Sequence, residues 1–252
     1  ARQPEEAGVL AALADAQAAI ITRFDARQAT TRHVPGYLSV AERLAKQRPD
    51  TAESTTDLGV AYSQAGRLAA SLDRYDEAIR YFRRNIELQS TLVARDPNSM
   101  TARRNLMLAW SNLADVALGP LGSYSAAGAG GPAARLDEGK RQEARRAWER
   151  VVEQAQWPYE HDPGNDSVAF DYAMSLGRQA PSFAPGDAAA VASLERSLAL
   201  LERLAQVNPA DFRANVRLDR RDHQARRGIL NHPTSPLNRA VPPQRLGIRR
   251  LS

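Results

Sequence analysis

Prolines at spaced positions divide the sequence into segments and limit what it can fold into. The breaks lie at Pro35, Pro49, Pro97, Pro163 and Pro209. Each proline disfavours helical backbone for the residue before it, and an Asp, Asn or Ser that follows can cap a new helix. Between the breaks, apolar residues recur three and four positions apart, and no run alternates in the manner of a strand. The sequence therefore predicts an all-α fold.

The proline breaks also mark a repeat. A large side chain stands nine residues after four of the prolines, at Leu58, Leu106, Tyr172 and Leu218. A small residue and then a large one precede the next proline by nineteen and fifteen residues; these are Ala78 with Phe82, Ala144 with Trp148, and Ala190 with Leu194. We therefore expect three helix pairs that share one packing pattern.

The first of these pairs carries the clearest motif. It reads Leu-Gly-x-x-Tyr from Leu58 and Glu-Ala-x-x-x-Phe from Glu77, and it ends at Pro97. This pattern resembles the tetratricopeptide repeat, which implies a right-handed α-solenoid of helix pairs with terminal capping helices. Leu58 and Leu106 are 48 residues apart instead of about 34, so each helix is expected to be about two turns longer. This long-helix style is similar to the region after the catalytic domain of some bacterial serine/threonine protein kinases.

The segment boundaries follow from composition. We expect an N-terminal helix in residues 1–36, the repeat domain in 37–230 and a disordered tail rich in Pro and Arg in 231–252. Residues 119–139 hold six of the 15 glycines and are predicted to form an inserted loop. Pro158 is predicted to end or kink the second helix of that pair.

Two further features complete the predicted domain. A loop is expected at 180–187, between the helices of the third pair, because Gly and Pro interrupt the helical pattern there. The charged segment 211–230 is expected to be a helix without a partner, which suits a terminal cap.

The charge distribution argues against a nucleic-acid-binding protein. The chain has 34 Lys and Arg against 29 Asp and Glu, a net charge of +5. Four of the Arg residues lie in segment 231–252, which has no acidic residue, so the remaining chain carries only +1. A nearly neutral domain is a poor match for a phosphate backbone. No segment reaches the roughly 18 uninterrupted apolar residues of a membrane span, so we expect no transmembrane helix.

No assembled catalytic or metal site is visible in the sequence. The absence of cysteine excludes thiolate ligands and cysteine nucleophiles, and the four histidines are scattered. His161 beside Asp162 is the nearest approach to a metal or general-base site, and a loop histidine is the favoured interpretation. The glycines near position 130 lack the Gly-Lys-Ser/Thr sequence of a phosphate loop. We therefore expect no enzymatic activity, no cofactor and no metal.

The resemblance to the repeat family implies a binding groove. In that family the exposed sides of the first helices line a concave surface. Methyl, amide and guanidinium groups there would suit a peptide segment, although inter-repeat packing is the alternative interpretation for Leu108, Phe170 and Met174. The predicted groove residues are Gln64, Arg67, Arg104, Leu108, Ser111, Asn112, Phe170, Met174 and Arg178.

The sequence thus favours a non-enzymatic scaffold that binds a protein or peptide segment in the groove. Such a scaffold could be the regulatory part of a larger signalling protein. The alternative hypothesis is the C-terminal fragment of a membrane-anchored bacterial serine/threonine protein kinase, with the catalytic domain before Ala1. A lesser alternative is nucleic-acid binding through the abundant arginines.

Overall fold

The computed structural model describes residues 27–49, 51–117, 138–184 and 187–208, with a few isolated residues before them. The described residues form seven α-helices, a short 3-10 helix at Ala180–Ser182 and no strand, which confirms the all-α prediction. Among these helices none has the combination of length and hydropathy needed to cross a bilayer. The α-helices are α1 (Arg27–Gln47), α2 (Ala52–Ser71), α3 (Tyr75–Arg95), α4 (Met100–Ala117), α5 (Glu138–His161), α6 (Asp166–Gln179) and α7 (Ala188–Val207).

Each helix packs against the helix before it and the helix after it, and α2 also contacts α4. Short connections between consecutive helices make antiparallel neighbours. We call α2, α4 and α6 the first helices and α3, α5 and α7 the second helices. The core is a series of clusters between successive helices; one joins Phe82 and Ile86 of α3 to Leu106, Ala109 and Leu113 of α4.

Side chains that follow the proline breaks cap the helices; the cap after Pro163 is of a predicted type, and the cap after Pro49 is a threonine. Thr51 accepts a hydrogen bond from the backbone N–H three residues later, at 3.1 Å. At the fourth break, Pro163, the cap is Asn165, whose Oδ1 accepts from the N–H groups of Ser167 and Val168. The N-cap of α6 is thus Asn165, two residues after the proline. These caps satisfy N–H groups that the helix itself leaves unpaired.

Glycines allow α2 and α3 to approach closely. A Cβ atom at Gly66 would lie 2.4 Å from the ring of Phe82, which is buried between α3 and α4. A Cβ atom at Gly59 would lie 2.3 Å from the Nε2 of Gln89. Ala78, the small residue of the motif, is fully buried. Small residues at these positions set the spacing of the first helix pair.

Helix α1 contradicts the predicted break at position 35. It continues through Pro35 to Gln47, so the boundary placed at residue 36 falls inside a helix. Pro35 itself is exposed, whereas Val34 and Tyr37 are buried and pack with Ala65 of α2. Burial of this apolar stripe outweighs the cost of about 3 kcal/mol for a proline inside a helix.

Helix α5 does not end at Pro158. It continues to His161, because contacts on both sides of the proline hold the last turn. The Trp157 and His161 rings stack with centroids 3.8 Å apart. Tyr159 stacks on Tyr172 of α6 with centroids 5.1 Å apart.

The predicted loops are placed only in part. Helix α5 begins at Glu138, so the loop expected at 119–139 is wrong for Glu138 and Gly139. The rest of that loop lies outside the described residues, as do the expected cap at 211–230 and the tail at 231–252. The interruption expected at 180–187 is confirmed, with the 3-10 helix at its start and Asp187 as the N-cap of α7.

Candidate functional site

The exposed sides of the first helices form one candidate surface. Residues three or four apart share one side of a helix, and the hydrogen bonds described below join α2 to α4 and α4 to α6. Val60 and Leu108 are 42% and 41% exposed there, although both are large and apolar. We call this surface the first-helix face; it comprises Val60, Gln64, Arg67, Arg104, Leu108, Asn112, Met174 and Arg178.

On this face α2 meets α4 through Asn112. The Nη2 of Arg67 donates to the Oδ1 of Asn112 at 3.3 Å. The Nδ2 of Asn112 lies 3.5 Å from the hydroxyl oxygen of Ser63, which also accepts from the buried Asn85 at 2.8 Å. Two predicted groove residues, Arg67 and Asn112, are therefore brought together, and they bind each other.

Helix α4 meets α6 in the same way through Arg178. Its Nη1 donates to the hydroxyl oxygen of Ser111 at 3.0 Å, and its Nη2 donates to the carboxylate of Asp115. The guanidinium also lies over the ring of Trp148, 4.9 Å from the centroid. Burial raises the pKa of the Asp115 carboxyl, while Arg178 and Arg67 act in the opposite direction.

The two interfaces use equivalent positions of the repeat. Ser63 and Ser111 each lie fourteen residues after the preceding proline, at Pro49 and Pro97. Arg67 and Asp115 each lie eighteen residues after the same prolines. The side chain that binds the serine and the charged residue lies fifteen residues after the following proline, at Asn112 or Arg178. The equivalent sets are Ser63, Arg67 and Asn112 in one interface and Ser111, Asp115 and Arg178 in the other.

A third contact on the face joins Arg104 to Asp171 of α6. The Nε of Arg104 donates to Asp171 Oδ2 at 2.6 Å, and its Nη2 lies 3.5 Å from Oδ1. The Arg104 side chain is 59% exposed, so part of the guanidinium is accessible to solvent. The hydrogen bonds to Asp171 raise the pKa of Arg104 above its already high ordinary value.

The remaining predicted groove residues differ in exposure. Ser111 is buried, and Gln64 and Met174 are half-buried. Phe170 packs against the core between α4, α5 and α6, and against Ala169 and Leu204. The structure thus places Phe170 in inter-helix packing, which is the alternative that the sequence left open for it.

Sequence reasoning missed the acidic partners Asp115 and Asp171. A signal for the first of them exists in the repeat, because Asp115 and Arg178 occupy the repeat positions of Arg67 and Asn112. When the three first helices are aligned by their prolines, Asp115 falls at the position of Arg67 and Arg178 at the position of Asn112. The contact between Arg67 and Asn112 therefore predicts the one between Asp115 and Arg178.

A second candidate surface lies on the opposite side of α4. Arg104 and Leu113 are nine residues apart, which is 2.5 turns at about 3.6 residues per turn, so they point in opposite directions. Leu113 and Trp110 form the floor of a cleft of about 680 Å³ between α3 and α5. The cleft is lined further by Ile86 and Ala147 on the floor and by Arg83, Glu87, Glu143, Arg146, Glu149, Arg150 and Glu153 on the rim.

An equivalent cleft one helix pair earlier is smaller. It lies between α1 and α3, over Leu68 of α2 and Leu72 at the C-cap of that helix, and has a volume of about 240 Å³. Tyr81 of α3 and Leu38 of α1 line it and pack against the same cluster of buried residues. The α3–α5 cleft is therefore the wider of these two, and the sequence did not predict it.

The described ranges contain no group of three or more His, Cys, Asp or Glu that could hold a metal ion. His161, the nearest metal candidate in the sequence, interacts at the end of α5. Its Nδ1 lies 2.8 Å from the carbonyl oxygen of Trp157.

Comparison with known proteins found no matching protein-family model and no significant match among curated proteins.

Proposed function

We propose that this chain is a tetratricopeptide-like solenoid with a non-enzymatic function, and that it binds a segment of another protein on the first-helix face. The observation that carries the proposal is the repeated register of the first helices. The α2–α4 and α4–α6 interfaces use the same three repeat positions, in which Asn112 and Arg178 are equivalent. Helices that stack with one constant register are expected to form an extended surface with repeated chemistry.

An apolar row follows the same register along the face. Val60, Leu108 and Met174 each lie eleven residues after the preceding proline break. Two of the three side chains are exposed, and Met174 is half-buried. Hydrogen bonds join α2 to α4 and α4 to α6 beside this row, so the three side chains can offer apolar contacts to one bound chain.

The polar groups beside the row can still bind a ligand. A guanidinium has five N–H donors, and the contacts to Asp171 engage two of those of Arg104. Arg67 is also exposed and donates one hydrogen bond to Asn112. The free donors of Arg104 and Arg67 are therefore suited to the carbonyl and carboxylate oxygens of a peptide.

The proposal is tested with peptides of twelve residues selected from a random display library against the wild-type chain. Fluorescence anisotropy then compares their binding to wild type, to Arg104→Ala with Asn112→Ala, and to Leu108→Asp. We expect each face variant to lose tenfold or more in affinity. Circular dichroism should show unchanged helicity, because these side chains are not in the core.

Val207→Asp is the matched control, since Val207 is 67% exposed and lies on α7 outside the face. It should bind the selected peptides as wild type does. Equal affinities for wild type and the face variants, or a library that yields no binder, would contradict the proposal.

A further inference from the structure

We infer that the cleft between α3 and α5 is a second binding site, whose occupant is an amphipathic helix with an acidic residue beside its apolar stripe. The cleft lies on the side of α4 opposite to the first-helix face, so this inference does not depend on the function proposed above. It depends on the shape of the cleft, on the backbone of its walls and on the ionic partners of its rim.

The size of the cleft suits several anchoring side chains. Its volume of about 680 Å³ lies within the range of about 300–1,000 Å³ found for ligand-binding clefts. A dry cavity of about 150 Å³ holds one benzene ring, so the cleft has room for roughly four groups of that size. Three or four apolar anchors at positions i, i+3, i+4 and i+7 are what a helix presents to a groove.

The walls favour a helical occupant over an extended one. All three walls are α-helices, and their lining residues lie within the helices rather than at the ends. Their backbone N–H and C=O groups are therefore paired internally and offer nothing to an extended chain. A helix satisfies its own backbone, so it can enter an apolar cleft without leaving polar groups unpaired.

The dimensions of the cleft agree with a short helix. The lining residues of α5 extend from Glu143 to Glu153. Ten residues of helix rise about 15 Å, and an i to i+7 stripe spans about 10 Å on the same basis. Two to three turns of a bound helix therefore cover the cleft.

The charges of the rim indicate the sign of the partner. All four glutamates of the rim already have an arginine partner at 2.8–3.3 Å; these pairs are Glu87 with Arg84, Glu143 with Arg83, Glu149 with Arg145, and Glu153 with Arg150. Arg146 is exposed and has no carboxylate within 4 Å among the residues that the structure describes. Among the described arginines that line the cleft, Arg146 is thus the one available to pair with a partner. An acidic residue on the bound helix would form that pair.

The pair between Arg83 and Glu143 does not prevent entry. It joins α3 to α5 across the cleft, and the two side chains are 60% and 42% exposed. An ion pair of that exposure contributes little to stability, so its side chains can turn aside for a bound helix.

The test uses two designed peptides of sixteen residues, acetylated and amidated, with leucines at i, i+4 and i+7 on an Ala and Gln background. One peptide has a glutamate on each edge of the leucine stripe, and its sibling has lysines there. Fluorescence anisotropy should show that the wild-type chain binds the glutamate peptide at least tenfold more tightly. Arg146→Glu should reverse this preference, and Arg146→Gln should remove it.

Arg196→Glu is the control for the charge change, because Arg196 is exposed on α7 and does not line the cleft. It should leave the preference unchanged, as should Leu108→Asp on the opposite side of α4. Failure of both peptides to bind, equal binding of the two peptides, or a preference that Arg146→Glu does not alter would overturn the inference. Since Arg146, Arg196 and Leu108 are all exposed, each variant should keep the wild-type circular dichroism spectrum, and binding is compared on folded protein.

Discussion

The two sides of α4 use their charged residues differently. On the first-helix face, Asn112 and Arg178 bind side chains of the neighbouring first helix, so the polar contacts join helices. At the cleft, three of the four ion pairs lie within a single helix, and only Arg83 with Glu143 crosses the gap. Polar contacts on the face thus join neighbouring first helices, whereas most ion pairs at the cleft do not bridge its two sides. The same helix therefore has polar contacts to its neighbouring first helices on one side and an open cleft with an apolar floor on the other.

The largest expected effect concerns the apolar residues on these two sides. Trp110 packs against both core clusters beside α4, so Trp110→Ala should lower the free energy of unfolding by about 3 kcal/mol. Leu108 is 41% exposed on the face, and Leu108→Ala should change stability by less than about 0.5 kcal/mol. Urea denaturation followed by circular dichroism measures both. Similar losses for the two variants would mean that the sides of α4 are equally buried and would remove the distinction.

Part of this arrangement could be predicted from the sequence. The helical periodicity and the proline breaks predicted the all-α fold. The motif contains the small residues Ala78 and Gly59; in the structure Ala78 is buried and Gly59 lies at a close helix contact. Local patterns failed where packing overrode them. Pro35 and Pro158 lie inside helices, because buried neighbours such as Val34 stabilise the helix around them.

The two proposed binding surfaces differ in how far the sequence predicts them, for a physical reason. The resemblance to the repeat family implied a surface on the exposed sides of the first helices, and Arg104 and Leu108 were predicted on that basis. The cleft depends on the distance between α3 and α5, which no local pattern reports. Trp110 and Arg146 therefore had no distinguishing signal in a single sequence, although both line the same cleft.

A smaller effect compares the ion pairs of the two sides. Arg178→Met leaves the half-buried Asp115 without its guanidinium and should cost about 1–2 kcal/mol, below the range of about 3–5 kcal/mol for fully buried pairs. Arg83→Met removes an exposed pair at the cleft and should cost less than about 0.5 kcal/mol. Thermal and urea unfolding of both variants provide the comparison. If Arg83→Met proved the more costly change, the interfaces between first helices would not be the ones held by polar contacts.

The smallest expected effect is the pH dependence of the face. Burial raises the pKa of Asp115 above its ordinary value of 3.8, so the folded chain holds this proton more tightly than the unfolded chain. The resulting stability is present below the ordinary pKa and is lost as the pH rises through the raised one. Asp115→Asn does not titrate in this range and serves as the reference. The free energy of unfolding of wild type, relative to that variant, should therefore increase as the pH falls from 7 to 4.

The same titration separates burial from pairing at Asp115. Arg178 acts against burial on the pKa of this carboxyl, so repeating the comparison in an Arg178→Met background should enlarge the increase. A relative stability that decreases toward pH 4 would show that the guanidinium dominates. The contact between α4 and α6 would then be a strong ion pair rather than a desolvated carboxylate held in place by helix packing.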